Sequence, residues 1–294
     1  MLNKVITHQL LFIMFVLLFV VAKTTVNFDD SYLSYSIWIA LFFVSSIGIS
    51  HGALDGKLIW KGSNRISQRA ILLGIYLTLV LLGWVLWISF PILGLLMLLT
   101  MAVFHFGNAD LKFIELDDIN INLSWGFSMT FLPMLFKKDI VGSIFYNLIG
   151  FNISDTFIAV IYCILILSII RIYWVIIKNI FKQKLRIIWF KNKDVLLLFE
   201  ITLLIILSYF THPFVWFAIY FCGLHGVRSL INSNFNWRND LKWLVLFTLP
   251  VLLFINFTYG KYWNSDTYSI IFPILGSLTI AHMSLPTILN FIKK

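Results

Sequence analysis

Histidine is the residue type through which this chain could carry chemistry. Imidazole nitrogens bind first-row transition metals and exchange protons near neutral pH. The chain contains His8, His51, His105, His212, His225 and His282. Its two cysteines, Cys163 and Cys222, both lie within apolar runs, so neither a disulfide framework nor a cysteine metal site is indicated. A metal site in this chain would therefore depend on histidine.

The composition places those histidines in a membrane. The 294 residues are 60% hydrophobic and 12% charged, with a mean hydropathy of +0.93, which is typical of polytopic membrane proteins. The polar stretches are too short to bury a separate core. The sequence therefore predicts an all-α, polytopic transmembrane helical bundle that forms a single integral membrane domain over residues 1–294.

The apolar runs predict eight to ten membrane spans. A spanning helix needs about 20 apolar residues, and two of the ten candidates, the fourth and the fifth, are short. The candidates lie near 7–22, 36–54, 70–90, 91–106, 122–136, 156–177, 195–210, 213–231, 242–258 and 268–290. Lys23 follows the first run directly and no A-x-A-like cleavage site is present, so we interpret this run as a span rather than a signal peptide.

Basic residues in short loops predict the orientation. The lysines and arginines behind the net charge of +9 lie between apolar runs, so they indicate topology rather than nucleic-acid binding. The basic loops after the second and sixth spans should be cytoplasmic. With ten spans, both termini are then cytoplasmic in a multi-pass protein of the inner (plasma) membrane. Lys137 and Lys138 are an exception, because they fall on the outer side.

With this orientation, four of the histidines fall in one layer. His51, His105, His225 and His282 lie about 5–15 Å below the cytoplasmic interface at 1.5 Å of rise per helical residue. The other two lie at an outer connection and at the start of the first span. One buried histidine is more often a hydrogen-bonded packing residue than a ligand, but packing alone would scatter four of them over both leaflets. The pattern favours a site for iron, copper or zinc.

Three carboxylates are candidates for partners of the metal-binding histidines. Asp55 follows His51 by four residues, Asp110 follows His105 by five, and Glu200 lies inside the seventh span. A histidine that binds a metal usually donates its other ring N–H to a carboxylate or a carbonyl. The alternative for the two aspartates is that they mark helix ends in the interface. Glu200 needs a proton or a partner in its apolar surroundings.

Small and aromatic residues surround the same positions. Gly48, Gly52 and Gly56, extended by Ser45, form a small-residue stripe that allows a neighbouring helix to approach closely. The aromatic run "HPFVWFAIYF" (212–221) would line a cavity, or else supply lipid-facing bulk. An aromatic wall beside a site in the membrane indicates a lipophilic substrate.

Four short motifs resemble those of a known family. They are "GISHGALDG" (48–56), "AVFHFGNAD" (102–110), "FAIYFCGLHGVRSL" (217–230) and "AHMSLP" (281–286). In this order they resemble the Brp/Blh family of membrane β-carotene 15,15′-dioxygenases, and Glu200 also looks like a family position. The correspondence extends from the second span to the last.

The resemblance implies an enzyme with a bound metal. Members of that family cleave β-carotene with O₂ at its central double bond to give two retinal molecules, often to supply a microbial rhodopsin. The resemblance further implies a non-haem Fe(II), with His51, His105, His225 and His282 as catalytic metal ligands. A closed-shell polyene reacts slowly with ground-state O₂, which is why a redox metal is required. Substrate would enter from the lipid bilayer.

One departure from the family pattern leaves alternatives open. Many relatives have His-Ser-x-Arg-His in the third motif, whereas this chain has "HGVRS", with Ser229 in place of a second histidine. A catalytically altered homologue that binds a carotenoid or retinal is therefore one alternative. A metal or proton transporter is another, but it would need acidic residues or histidines through the outer leaflet, where this chain has almost none.

Overall fold

The computed structural model describes a chain of helices. It describes residues 2–25, 30–62, 65–116, 118–182, 192–259 and 268–292, without the side chains of residues 2–3, 30–34, 47–53, 237, 255–256, 258–259 and 292. These residues contain no β-strand. The helices are α1 (Leu2–Thr25), α2 (Asp30–Phe43), π1 (Val44–Gly48), α3 (Ile49–Gly62), α4 (Ile66–Ser89), α5 (Pro91–Phe113), α6 (Ile119–Phe131), α7 (Met134–Ile149), α8 (Asp155–Lys182), α9 (Lys193–Phe210), α10 (Pro213–Ala218), π2 (Ile219–Gly226), α11 (Val227–Asn232), α12 (Trp237–Tyr259) and α13 (Tyr268–Ile292). The predicted all-α class is confirmed.

Six stretches of the described residues are long and apolar enough to cross a membrane. They are Lys4–Thr25, Ile66–Ser89, Pro91–Phe113, Asp155–Lys182, Pro213–Asn232 and Tyr268–Phe291. The predicted count of eight to ten spans is not confirmed. One reason is that α9 carries Lys193, Asp194 and Glu200 within 18 residues, and another is that α6 and α7 are short.

The helices group into two compact units. Unit 1 contains residues 1–40, 102–146 and 151–232, and unit 2 contains residues 41–101, 147–150 and 233–294. Each unit is therefore assembled from segments that are far apart in the sequence. The single domain over residues 1–294 stays a prediction.

Two glycines allow α5 and α6 to meet backbone to backbone in unit 1. A Cβ atom on Gly126 would lie 1.7 Å from the carbonyl oxygen of Val103, and one on Gly107 would lie 2.0 Å from that of Asn122. Any larger residue would force the helices apart. The crossing therefore requires glycine at both positions, and it holds the part of α5 that carries His105.

In unit 2, α4 packs along α13, and α3 packs against α12 and α13. Gly83 lets α4 approach α13, because its added Cβ would lie 3.0 Å from the Cα of Ser277. Gly56, the last glycine of the small-residue stripe, lies against the Phe247 ring of α12. A buried apolar cluster joins α3, α4 and α13 through Ile59, Leu72, Tyr76, Ala281, Leu285 and Leu289.

Replacing Gly126 with alanine should destabilise unit 1. The added methyl group overpacks the crossing of α5 and α6, and we expect a loss of about 1–3 kcal/mol, measured by thermal unfolding in detergent. Gly142→Ala is the matched control, because beyond the adjoining turns of its own helix no heavy atom of the described residues lies within 4 Å of an added Cβ there. An equal melting temperature for the two variants would contradict a tight crossing.

Candidate functional site

The buried interior of unit 1 brings two of the predicted histidines together. The Nε2 atoms of His105, on α5, and His225, on π2, lie 3.1 Å apart. On the other side of its ring, His225 Nδ1 lies 2.9 Å from Oδ1 of Asp110. Both His225 and Asp110 are almost fully buried. Asp110 thus pairs with His225 rather than with His105, its nearer neighbour in the sequence.

Asp110 also receives two hydrogen bonds from aromatic side chains. Its Oδ2 atom accepts from the Tyr220 hydroxyl at 2.8 Å and from the Trp125 indole nitrogen at 3.1 Å. With His225, these donors surround the carboxylate with polar contacts in an apolar interior, which offsets the cost of its burial. The sequence analysis did not identify Tyr220 or Trp125, although each is an aromatic residue with a polar group inside an apolar run.

The π-helical conformation of π2 aligns Tyr220 with His225. In a π-helix the backbone groups of residues five apart are hydrogen-bonded, so these residues lie close together on one side of the helix. The side chains of Tyr220 and His225 therefore both reach Asp110. In an α-helix the same spacing would turn the two side chains about 140° apart. Short π-helical segments occur frequently at functional sites, and π1 directly precedes the α3 helix that contains His51.

Aromatic rings enclose the histidine pair. Phe221 stacks on His225 with ring centroids 5.7 Å apart and an interplanar angle of 7°, and Phe217 stacks on Phe221 in turn. Phe106 meets His225 edge to face at 4.8 Å. Phe221 is 4% exposed and Phe106 is 5% exposed. Phe106 and Phe221 therefore lie in the interior of unit 1 rather than on a lipid-facing surface, whereas Phe217 is half-buried.

Glu200, the third predicted carboxylate, is bound by an arginine. Arg228 NH2 lies 2.8 Å from Oε1 and 2.6 Å from Oε2 of Glu200, and the Gln9 amide contacts Oε2 at 3.5 Å. The Arg228 guanidinium also lies over the ring of Phe113. Both charged side chains are at most 1% exposed. The sequence analysis overlooked Arg228, although an opposite charge inside another apolar run was the available signal.

A second histidine–carboxylate pair lies in unit 2. His282 Nδ1, on α13, is 2.8 Å from Oδ1 of Asp55, on α3. Asp55 is fully buried, so it does not mark an exposed helix end. The side chain of His51, which the sequence placed beside Asp55, lies outside the described side chains.

The donor set suits a transition metal, but the described side chains do not complete a site. Among them, no group of three or more histidine, cysteine, aspartate or glutamate residues could hold a metal ion. The pair of His105 and His225 nevertheless has suitable chemistry. Metal–imidazole bonds are about 2.0–2.1 Å long, so nitrogens 3.1 Å apart can bind one ion. Asp110 occupies the other nitrogen of His225, as an outer carboxylate partner does.

Comparison with known proteins identifies the family. The family described as Beta-carotene 15,15′-dioxygenase matches residues 41–290, which is most of the chain. The chain belongs to the β-carotene 15,15′-dioxygenase family. The resemblance seen in the four motifs is thereby confirmed.

The family assignment agrees with a similar curated protein. Beta-carotene 15,15′-dioxygenase of uncultured marine bacterium 66A03 is 29% identical over 208 residues, which cover 68% of this chain and 70% of that protein. No solved structure matches the chain. Membership of the β-carotene 15,15′-dioxygenase family supports a carotenoid-cleaving dioxygenase as the class of enzyme.

In this family member, the two histidines that the sequence analysis set aside each contact a backbone group. His212 caps α10, where its Nδ1 accepts a hydrogen bond from the backbone N–H of Phe214 at 3.3 Å. Burial, with a smaller contribution from the positive charge of Lys137, lowers the pKa of His212 to about 4. His8 Nε2 lies 3.3 Å from the carbonyl oxygen of Gly223.

Replacing one member of the pair formed by Glu200 and Arg228 should destabilise the protein strongly. Glu200→Leu leaves a buried guanidinium without its counter-charge, and Arg228→Met leaves a buried carboxylate. We expect each variant to lose about 3–5 kcal/mol, measured by thermal unfolding in detergent. The double variant Glu200→Leu/Arg228→Met is the control and should lose much less than the sum. Additive losses would contradict a coupled pair.

Proposed function

We propose that the chain cleaves β-carotene with O₂ at the central 15,15′ double bond. One oxygen atom goes to each carbon of the broken bond, which gives two molecules of retinal and balances the reaction. Family membership over residues 41–290 is the observation that supports β-carotene as the substrate. His225 contacts both His105 and Asp110, and this group of side chains supports a reaction centre in unit 1.

We further propose that His105 and His225 bind Fe(II). When bound, Fe(II) supplies the redox chemistry that lets ground-state O₂ react with a closed-shell polyene. Asp110 has a separate role, because it accepts a hydrogen bond from the Nδ1–H of His225, which leaves the Nε2 lone pair of His225 available to hold the ion. Tyr220 and Trp125 keep Asp110 in place. His51 and His282 stay predictions from the sequence as further ligands.

Phe106, Phe217 and Phe221 would exclude water and contact the polyene. β-Carotene has no polar group for a hydrogen bond, so an enzyme positions it by the shape of apolar surfaces. Ring stacking holds Phe217 and Phe221 beside His225, next to the proposed metal ligands.

We propose that the substrate enters from the lipid bilayer of the inner membrane and that retinal supplies a microbial rhodopsin.

Expression in a β-carotene-producing bacterium tests the activity. We expect the parent protein to remove carotene colour and to form retinal, detected by liquid chromatography. His105→Ala and His225→Ala should abolish retinal and lower the iron content of the purified protein, because each removes a proposed ligand.

The matched control for these variants is His212→Asn. Asparagine can still accept the Phe214 N–H at the start of α10, and His212 is not a proposed ligand, so iron and retinal should stay at the parent's level. Equal amounts of retinal from His105→Ala and from the parent would contradict the assignment of His105 to the reaction centre. Untouched carotene with the parent would contradict cleavage of this substrate.

Ser229 supports a second candidate function, binding of a carotenoid or retinal with altered catalysis. It is half-buried on α11, four residues after His225, where many relatives are expected to have a histidine. Residues four apart on a helix lie on the same side, so a histidine there would add an imidazole near His225.

Ser229→His tests the second candidate in the same strain. We expect it to increase retinal formation over the parent, because the added imidazole is one more possible iron ligand, and Ser229→Asn is the control for size and polarity. A parent that binds carotene without cleaving it, and gains cleavage with Ser229→His, would favour the binding function. No gain over Ser229→Asn would contradict a missing ligand at this position.

A further inference from the structure

A cleft in unit 2 is lined with basic and amide side chains. Its volume is about 310 Å³, and it lies between the end of α3, the connection after α11 and the start of α12. Lys57, Lys61 and Lys242 supply its positive charge. We refer to it as the basic cleft.

One carboxylate in the basic cleft neutralises one lysine. Lys57 Nζ lies 2.5 Å from Oδ2 of Asp240, which also accepts the backbone N–H of Asn236 at 2.9 Å. Burial by itself raises the pKa of Asp240, but the hydrogen bonds from Lys57 and Asn236, with the charge of Lys61, lower it below its usual value. Three lysines against one ionised aspartate leave the lining with a net charge of +2. Neither Lys61 nor Lys242 has a carboxylate within ion-pair distance among the described residues.

The remaining polar lining suits an anion with several oxygens. Asn234, Asn236 and Asn239 line the basic cleft, and the side-chain amide of asparagine can donate hydrogen bonds to phosphate oxygens. Asn234 adopts a left-handed backbone conformation with φ of 51°, which asparagine tolerates well. Ammonium and amide donors around one cleft are suitable for a phosphate group.

The surroundings of the basic cleft favour a lipid as the source of such a phosphate group. Trp60 and Trp243 line the cleft with their ring centroids 5.6 Å apart, and tryptophan beside lysine is typical of membrane interfaces. Further along α12, Leu246, Leu249 and Leu253 are 60%, 48% and 58% exposed. These side chains offer an apolar surface to acyl chains next to the polar cleft.

We propose that the basic cleft binds the phosphate of an anionic phospholipid headgroup. The distribution of basic residues, with ten spans, predicts that the end of α3 with Lys57 and Lys61 and the start of α12 with Lys242 lie at the cytoplasmic face. Basic pockets between membrane helices on this face bind anionic headgroups through the same physics.

A lipid titration of the purified full-length protein tests the proposal. The protein is held in phosphatidylcholine-containing micelles, and its melting temperature is followed as phosphatidylglycerol is added. Lys61→Gln/Lys242→Gln should need about 30-fold more phosphatidylglycerol for the same rise, since each lysine near a lipid surface contributes roughly 1 kcal/mol. The variant's melting temperature in phosphatidylcholine alone shows that it is folded.

Two controls separate the sources of the effect. Lys178→Gln/Lys182→Gln removes the same charge from α8 in unit 1, outside the cleft, and should respond to phosphatidylglycerol as the parent does. An equal loss of response in this control would show a general effect of surface charge and would overturn the proposal. Inorganic phosphate should not reproduce the rise. An unchanged response of Lys61→Gln/Lys242→Gln would overturn the proposal. A full rise with inorganic phosphate would also overturn it, because the cleft would then bind free phosphate.

Discussion

The burial of the Asp110 carboxylate constrains the interior of unit 1. An ionised carboxylate in an apolar interior is stable only when donors replace the water it has lost. Trp125, Tyr220 and His225 provide those donors from α6 and π2. Because Asp110 is on α5, its contacts connect three helical elements and fix the direction of the His225 ring. The orientation of a candidate metal ligand thus follows from the solvation of one charge.

Two features of the backbone make this arrangement of Asp110 possible. The glycines at the crossing of α5 and α6 let the helices touch, which brings Trp125 within reach of Asp110. The π-helical geometry of π2 then aligns Tyr220 with His225. Side-chain chemistry at the site therefore depends on local backbone geometry, and a methyl group at Gly126 would disturb it by pressing on the backbone of α5 rather than on a side chain of the site.

In each unit, a buried carboxylate has a nitrogen partner in the interior. Unit 1 pairs Arg228 with Glu200, and unit 2 pairs His282 with Asp55. In a chain whose long helices are apolar enough to cross a membrane, an unpaired interior charge would be costly. The basic cleft differs from these pairs, because its lysines exceed its single carboxylate and leave charge for a ligand.

The sequence by itself determined the helical class, the apolar runs, the family and the polar residues that an apolar interior must accommodate. These follow from composition, periodicity and short motifs, which are local properties. The partners of those polar residues were decided by the tertiary structure. Asp110 pairs with His225, 115 residues away, because α5 and π2 meet in the interior of unit 1. Sequence proximity suggested His105 instead, since spacing along one helix reveals a shared face but not which neighbouring helix packs against it.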